Sequence, residues 1–235
     1  MDNIRRINRI RSATGRDIGS NEWGGAAVLR DNRVLRNTYG LLALTLLFSA
    51  AVAGVSVALA LPAPGIIITL VVYFGLLFAI HKLQNSAGAL PAVFALTGFM
   101  GYTLGPLLSR SLSLPGGSTI VAMALGATGV TFLALSAYVL TTKRDFSFMG
   151  GFLFAGMIIA LLAGLGAVFF QIPALGLAVS AVVALLSAGL ILFETSRIVN
   201  GGETNYVLAT VSLYVSVFNL FTSLLQLFGF MSSDD

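Results

Sequence analysis

The chain has 235 residues, of which 57% are hydrophobic and 9% charged, with a formal net charge of +4. A soluble domain carries about 25% charged residues, so there is too little polar surface here to coat a water-soluble globule. The composition specifies a polytopic membrane protein, and the absence of cysteine excludes a disulfide framework and a thiolate metal site.

The first stretch, residues 1–37, is polar and holds Arg5, Arg6, Arg9, Arg11, Arg16, Arg30, Arg33 and Arg36. It is too poor in apolar residues for a core of its own and is expected to be a disordered tail. Two readings stay open for it: an orientation signal that touches anionic lipid, or a handle for a cytoplasmic partner. Trp23, the only tryptophan, lies in it beside Gly24-Gly25 and fits an interfacial anchor. No cleavable signal peptide is expected, because the first apolar run begins only near residue 38.

Runs of about 18 or more apolar residues read as membrane-spanning helices. In chain order they cover residues 38–61, 65–82, 89–108, 118–141, 147–170, 173–198 and 205–230. The expected fold is therefore all-α: a seven-helix transmembrane bundle over residues 38–231. Pro64 and Pro173 fall where a first helical turn tolerates a missing amide. Asn85-Ser86, Leu114-Pro-Gly-Gly117 and Asn200-Gly-Gly202 mark short loops. Gly105-Pro106 falls near the end of the third run and is expected to kink it.

Seven spans put the termini on opposite sides. One side then holds the tail arginines, Lys82, Lys143, Arg144 and Arg197, which makes 12 of the 13 basic residues; the other holds Arg110 alone. The positive-inside rule places the N-terminus in the cytoplasm and Ser232-Ser233-Asp234-Asp235 outside.

Glu194 is the one carboxylate well inside a long apolar run. A carboxylate in hydrocarbon costs at least a few kcal/mol unless it faces a partner or water, which makes it a candidate site. Arg197 lies three residues on and shares its helix face. The pair is either a local ion pair satisfied at the interface, or a group that faces the bundle centre and gates a path or a contact. His81 and Lys82 end the second helix on the same side, within reach of Glu194. The seventh helix carries Ser216, Asn219 and Ser223 at helical spacing, a polar stripe expected of a helix buried at the bundle centre and bonded to its neighbours. Small residues at Gly101 with Gly105, and at Gly126 with Gly129, are spaced for close helix approach.

Marks of membrane hydrolases are missing. A membrane zinc protease needs two histidines and a glutamate on one helix face, and the chain has one histidine. An aspartyl dyad needs two buried carboxylates, and only Glu194 is available. No Gly-rich phosphate loop precedes a Lys-Ser or Lys-Thr pair. No catalytic, metal or cofactor-binding residue is expected, and no nucleic-acid partner.

Gly101-Tyr-Thr-Leu-Gly-Pro-Leu-Leu108, followed by Ala124-Leu-Gly-Ala-Thr-Gly-Val-Thr-Phe132, resembles the signature of the Bax inhibitor-1 family. The signature residues are Gly101, Gly105, Pro106, Thr128 and Gly129. Val34–Tyr39, Ser136–Thr142, Ile191–Ser196, Gly201–Tyr206 and Ala209–Ser216 are similar to the family's bacterial YccA branch. The resemblance implies a seven-helix bundle with the last helix at its centre. Some members are pH-sensitive calcium leak channels with a pair of aspartates, one late in helix six and one in helix seven. Glu194 falls on the first, but Ser216 falls on the second, and a serine cannot share a proton with a carboxylate or add charge toward a cation. The YccA branch is associated with the membrane-anchored AAA protease FtsH. The expected role is thus an inner-membrane modulator of FtsH, acting as a slowly degraded competing substrate. The alternative is a calcium or proton leak gated near Glu194.

Overall fold

The computed structural model describes residues 33–232. The tail beyond that range and the last residues, Ser233 to Asp235, lie outside the described residues. Seven helices are long and apolar enough to cross a membrane: α1 (Arg33–Ala58), α2 (Ile66–Leu83), α3 (Ala89–Leu112), α4 (Gly117–Thr142), α5 (Gly150–Phe169, preceded by a 3-10 turn at Ser147–Met149), α6 (Pro173–Val199) and α7 (Tyr206–Met231). No strand occurs among the described residues.

Helix ends follow backbone chemistry more than hydropathy. The first apolar run continues to Leu61, but α1 ends at Ala58. Ala60 takes a left-handed conformation (φ 48°). The Leu61 amide then donates to the Ser56 carbonyl and the Ala60 amide to Val57, both at 3.0 Å. This paired closure caps a helix C-terminus, and it falls just before Pro62 and Pro64, which cannot continue one. Gln171 (φ 52°) closes α5 in the same way ahead of Pro173. At the other end of α1, residues 33–37 are already helical, although their polarity assigns them to the tail.

α3 runs on past Pro106 to Leu112, four residues beyond the end of its apolar run at 108. Pro106 has no amide to give to the Tyr102 carbonyl one turn back. Ser56 on α1 donates its hydroxyl to that carbonyl at 3.1 Å, so the neighbouring helix supplies the bond that proline removes. The contact is close because of glycine. A Cβ on Gly101 would run into the Ser49 carbonyl of α1, and one on Gly105 would run into the Ser56 side chain. At Gly126 and Gly129 a Cβ would meet nothing within 4 Å. The close approach expected there does not occur, because that part of α4 faces outward.

α7 is central. Of its most apolar stretch 61% is buried, against 6% for α2. Tyr214, fully buried, shares a 2.7 Å hydrogen bond with Ser49 of α1 and donates to the Thr97 carbonyl of α3 at 3.4 Å. Ser180 of α6 donates to Gln226 at 2.9 Å. Without water in the bilayer core, such bonds and close packing hold helices together. Two apolar clusters stack along α7. One joins Leu42, Ile80, Val93, Leu96, Ile198 and Leu213; the other joins Ala53, Leu104, Ile120, Ala124, Phe221 and Leu225. α2 packs on α3, and Ile80 is its only buried residue.

Candidate functional site

Ile191, Glu194, Thr195 and Ile198 are all buried in α6. Their spacing of three, four and seven residues puts them on one helix face, the face that packs into the bundle. Glu194 is 7% exposed. A carboxylate so placed needs a charged or hydrogen-bonding partner. Arg197 provides it: one guanidinium nitrogen lies 3.4 Å from Glu194 Oε2. A second nitrogen of the same guanidinium lies 3.1 Å from Oε2 of Glu203, beyond the end of the helix. The guanidinium carbon also stands 5.5 Å from the centre of the Phe193 ring, within cation–π range. One cation thus joins two carboxylates at a partly buried site.

The chain folds back to make this contact. After Val199 the amides of Gly202 and Glu203 both donate to the Arg197 carbonyl, at 2.8 and 3.1 Å. The turn passes through Gly201 at φ 73°, a conformation that costs glycine nothing. Glu203 Oε1 accepts the Asn205 amide at 2.9 Å. Asn205 then caps α7, its Oδ1 accepting from the Val207 and Leu208 amides. Its Nδ2 donates to the Gln84 carbonyl at 3.1 Å and to Asn85 Oδ1 at 3.3 Å. The α6–α7 turn is thereby tied to the α2–α3 turn.

A second set of bonds ties it to the α4–α5 turn. The Ser196 hydroxyl donates to the Arg144 carbonyl at 3.2 Å and accepts from the Phe146 amide at 2.9 Å. Asn200 Nδ2 donates to Ser196 Oγ and to the same carbonyl. In that turn the exposed Asp145 accepts from the Ser147 amide at 2.8 Å. Hydrogen bonds from the Ser147 side chain and backbone hold its carboxyl below the usual carboxylate range. A carboxyl lowered on folding contributes above its unfolded value, and the contribution is lost as pH falls through the lowered one. Three turns thus meet at one end of the bundle, the end that carries Lys82, Lys143, Arg144 and Arg197.

The candidates read from the sequence do not all converge. Glu194 and Arg197 pair. His81 and Lys82 are exposed, and among the described residues neither makes an ion pair with Glu194. Ser216 is buried halfway along α7, and its hydroxyl donates to the Ser212 carbonyl one turn back at 2.9 Å. Asn219 lines a cavity instead. In the signature, Gly101, Gly105 and Pro106 make the α1–α3 contact, and Thr128 is buried with its hydroxyl on the Ala124 carbonyl at 2.7 Å. Sequence spacing alone does not single out Glu203, Asn205 or Ser196. Glu203 reaches Arg197 across a glycine turn, six residues away in sequence, and no helical periodicity signals that closure. Among the described residues no three of His, Cys, Asp or Glu are grouped to hold a metal ion. The arrangement is an electrostatic clasp, with charge to hold the turns together.

The family model described as Inhibitor of apoptosis-promoting Bax1 matches residues 31–233. The chain is 52% identical over 217 residues, 92% of its length and 99% of the relative's, to an Escherichia coli K12 protein named Modulator of FtsH protease YccA. A protein of another Escherichia coli strain with the same identity and coverage is named Inner membrane protein YccA. An uncharacterised Pseudomonas aeruginosa protein is 54% identical over 202 residues, 86% of this chain and 91% of that one. With its seven helices, its buried α7 and the Gly101–Pro106 contact in place, the chain belongs to the Bax inhibitor-1 family.

Proposed function

We propose that this chain is an inner-membrane protein, N-terminus in the cytoplasm, that binds and modulates the AAA protease FtsH as a slowly degraded competing substrate. The observation that carries the reading is the 52% identity that runs through 99% of a relative bearing the modulator name. The architecture supports it. A processive protease must grip a segment and pull, and extracting a bundle of seven membrane helices moves apolar surface into water at about 25 cal/mol per Å². Slow extraction lengthens occupancy and delays other substrates. The role needs no catalysis by this chain. The test is co-purification of the tagged full chain with FtsH from membranes, together with a pulse–chase. Association and slow, FtsH-dependent turnover are expected; a chain that neither associates with FtsH nor is stabilised by its removal would reject the reading.

A cation leak gated at Glu194 is the second reading, favoured by the burial of that carboxylate. Arg197 already balances its charge, and α7 offers the Ser216 hydroxyl rather than a second carboxylate.

A further inference from the structure

α2 leans on α3 and leaves its other side open. Between α2 and α5 lies a cavity of about 600 Å³, backed by α3, α6 and α7, within the roughly 300–1,000 Å³ range of small-molecule sites. Phe74 of α2, Phe154 and Leu161 of α5 and Val215 of α7 give it an apolar wall. All five helices are membrane-spanning by length and apolarity, so whatever fills the cavity comes from the bilayer.

Two polar groups stand in that wall without a hydrogen-bond partner among the described residues: the Tyr73 hydroxyl and the Asn219 amide. The cavity's threonines differ, because Thr69 donates to the Gly65 carbonyl and Thr103 to the Met100 carbonyl. Tyr73 and Asn219 lie halfway along α2 and α7, well away from the headgroups. In hydrocarbon an unsatisfied amide is costly, and no lipid headgroup carries its charge that deep.

We propose that this cavity binds a fatty acid in its neutral form, entering laterally between α2 and α5. A neutral carboxyl has one O–H donor and one carbonyl acceptor side by side. They match the carbonyl and NH2 of Asn219 in a two-bond pair, and Tyr73 can donate to the same head. The acyl chain occupies the apolar length between Phe74 and Leu161. A fatty alcohol can make only part of this set, and an alkane none of it.

The test uses the full chain in phosphatidylcholine nanodiscs and a diazirine-bearing palmitic acid, with adducts mapped by mass spectrometry. Adducts are expected on the cavity faces of α2 and α5. Palmitic acid should displace the probe about tenfold better than hexadecane, as two hydrogen bonds imply, with 1-hexadecanol between them. Asn219→Leu should remove most of palmitic acid's advantage over hexadecane, leaving only what the Tyr73 hydroxyl gives, and Leu161→Trp should remove cavity adducts by filling the space. Adducts spread evenly over lipid-facing positions such as Leu185 and Phe169, or equal competition by hexadecane on the native protein, would overturn the proposal. The native competition series stands even if a variant fails to fold.

Discussion

Arg197 holds two carboxylates that repel one another in its absence. Removing one partner of a buried pair costs about 3–5 kcal/mol where burial is complete, but the Arg197 side chain is 32% exposed, and solvent screening reduces that. Arg197→Ala should therefore destabilise by roughly 1–3 kcal/mol, and adding Glu194→Gln should recover part of the loss by removing the charge left behind. Thermal unfolding in nanodiscs checks both; a double variant less stable than Arg197→Ala would contradict the clasp. Ser216 makes the matching test for ion passage. Little calcium flux is expected from the native protein in liposomes, and more flux, or steeper pH dependence, from Ser216→Asp. A strong native leak at neutral pH would reverse the ranking of the two functional readings. At this scale the sequence was informative about Glu194 and Arg197, because helical spacing is local. Glu203 was hidden, because its contact depends on a turn through Gly201 that periodicity does not encode.

At the scale of elements, α3 and α1 meet through what each lacks. Gly101 and Gly105 lack side chains, Pro106 lacks an amide, and Ser56 makes up the missing bond. Ser56→Ala should cost about 1–3 kcal/mol, the penalty of leaving the Tyr102 carbonyl without its donor. Gly105→Ala should also destabilise, since its Cβ falls on Ser56, and the double variant Ser56→Gly with Gly105→Ala should be milder than Ser56→Gly and Gly105→Ala measured singly and added together. Strict additivity in unfolding measurements would mean that the two positions do not share a contact. Gly126 and Gly129 are also small and closely spaced, yet a Cβ there would meet nothing within 4 Å. Small residues permit close approach but do not dictate which helix arrives. Helix existence and most helix ends were legible from apolar length and turn residues; the C-terminal ends of α1 and α3 were not, because Ala60 adopts a left-handed conformation that hydropathy cannot report and α3 runs on through Pro106.

At the scale of the whole molecule, seven spans and the clustering of basic residues at one end predict which turns face the cytoplasm. The native chain has no cysteine, so single cysteines report cleanly. Ala87→Cys, in the α2–α3 turn, should be shielded from a membrane-impermeant maleimide on intact cells, and Ser118→Cys, at the start of α4, should label. Both labelling from outside would defeat the orientation. The tail is the proposed handle for FtsH; deleting residues 1–25 should lengthen the cellular half-life and weaken association while the bundle stays folded. Unchanged turnover would remove the tail from that role.

The helix at the centre of the bundle is made after the six helices that precede it. Domains fold broadly in the order in which they are made, yet α7 supplies the partners for Ser49 of α1 and Ser180 of α6 and accepts packing from both apolar clusters. A nascent chain that has reached only Asn205 has made Ser49, Ser180 and the Thr97 carbonyl without the α7 side chains that meet them. Completion of the core therefore waits on this 26-residue helix. A chain truncated before Tyr206 is expected to lack a packed bundle, and to be cut by protease in membranes where the full chain resists.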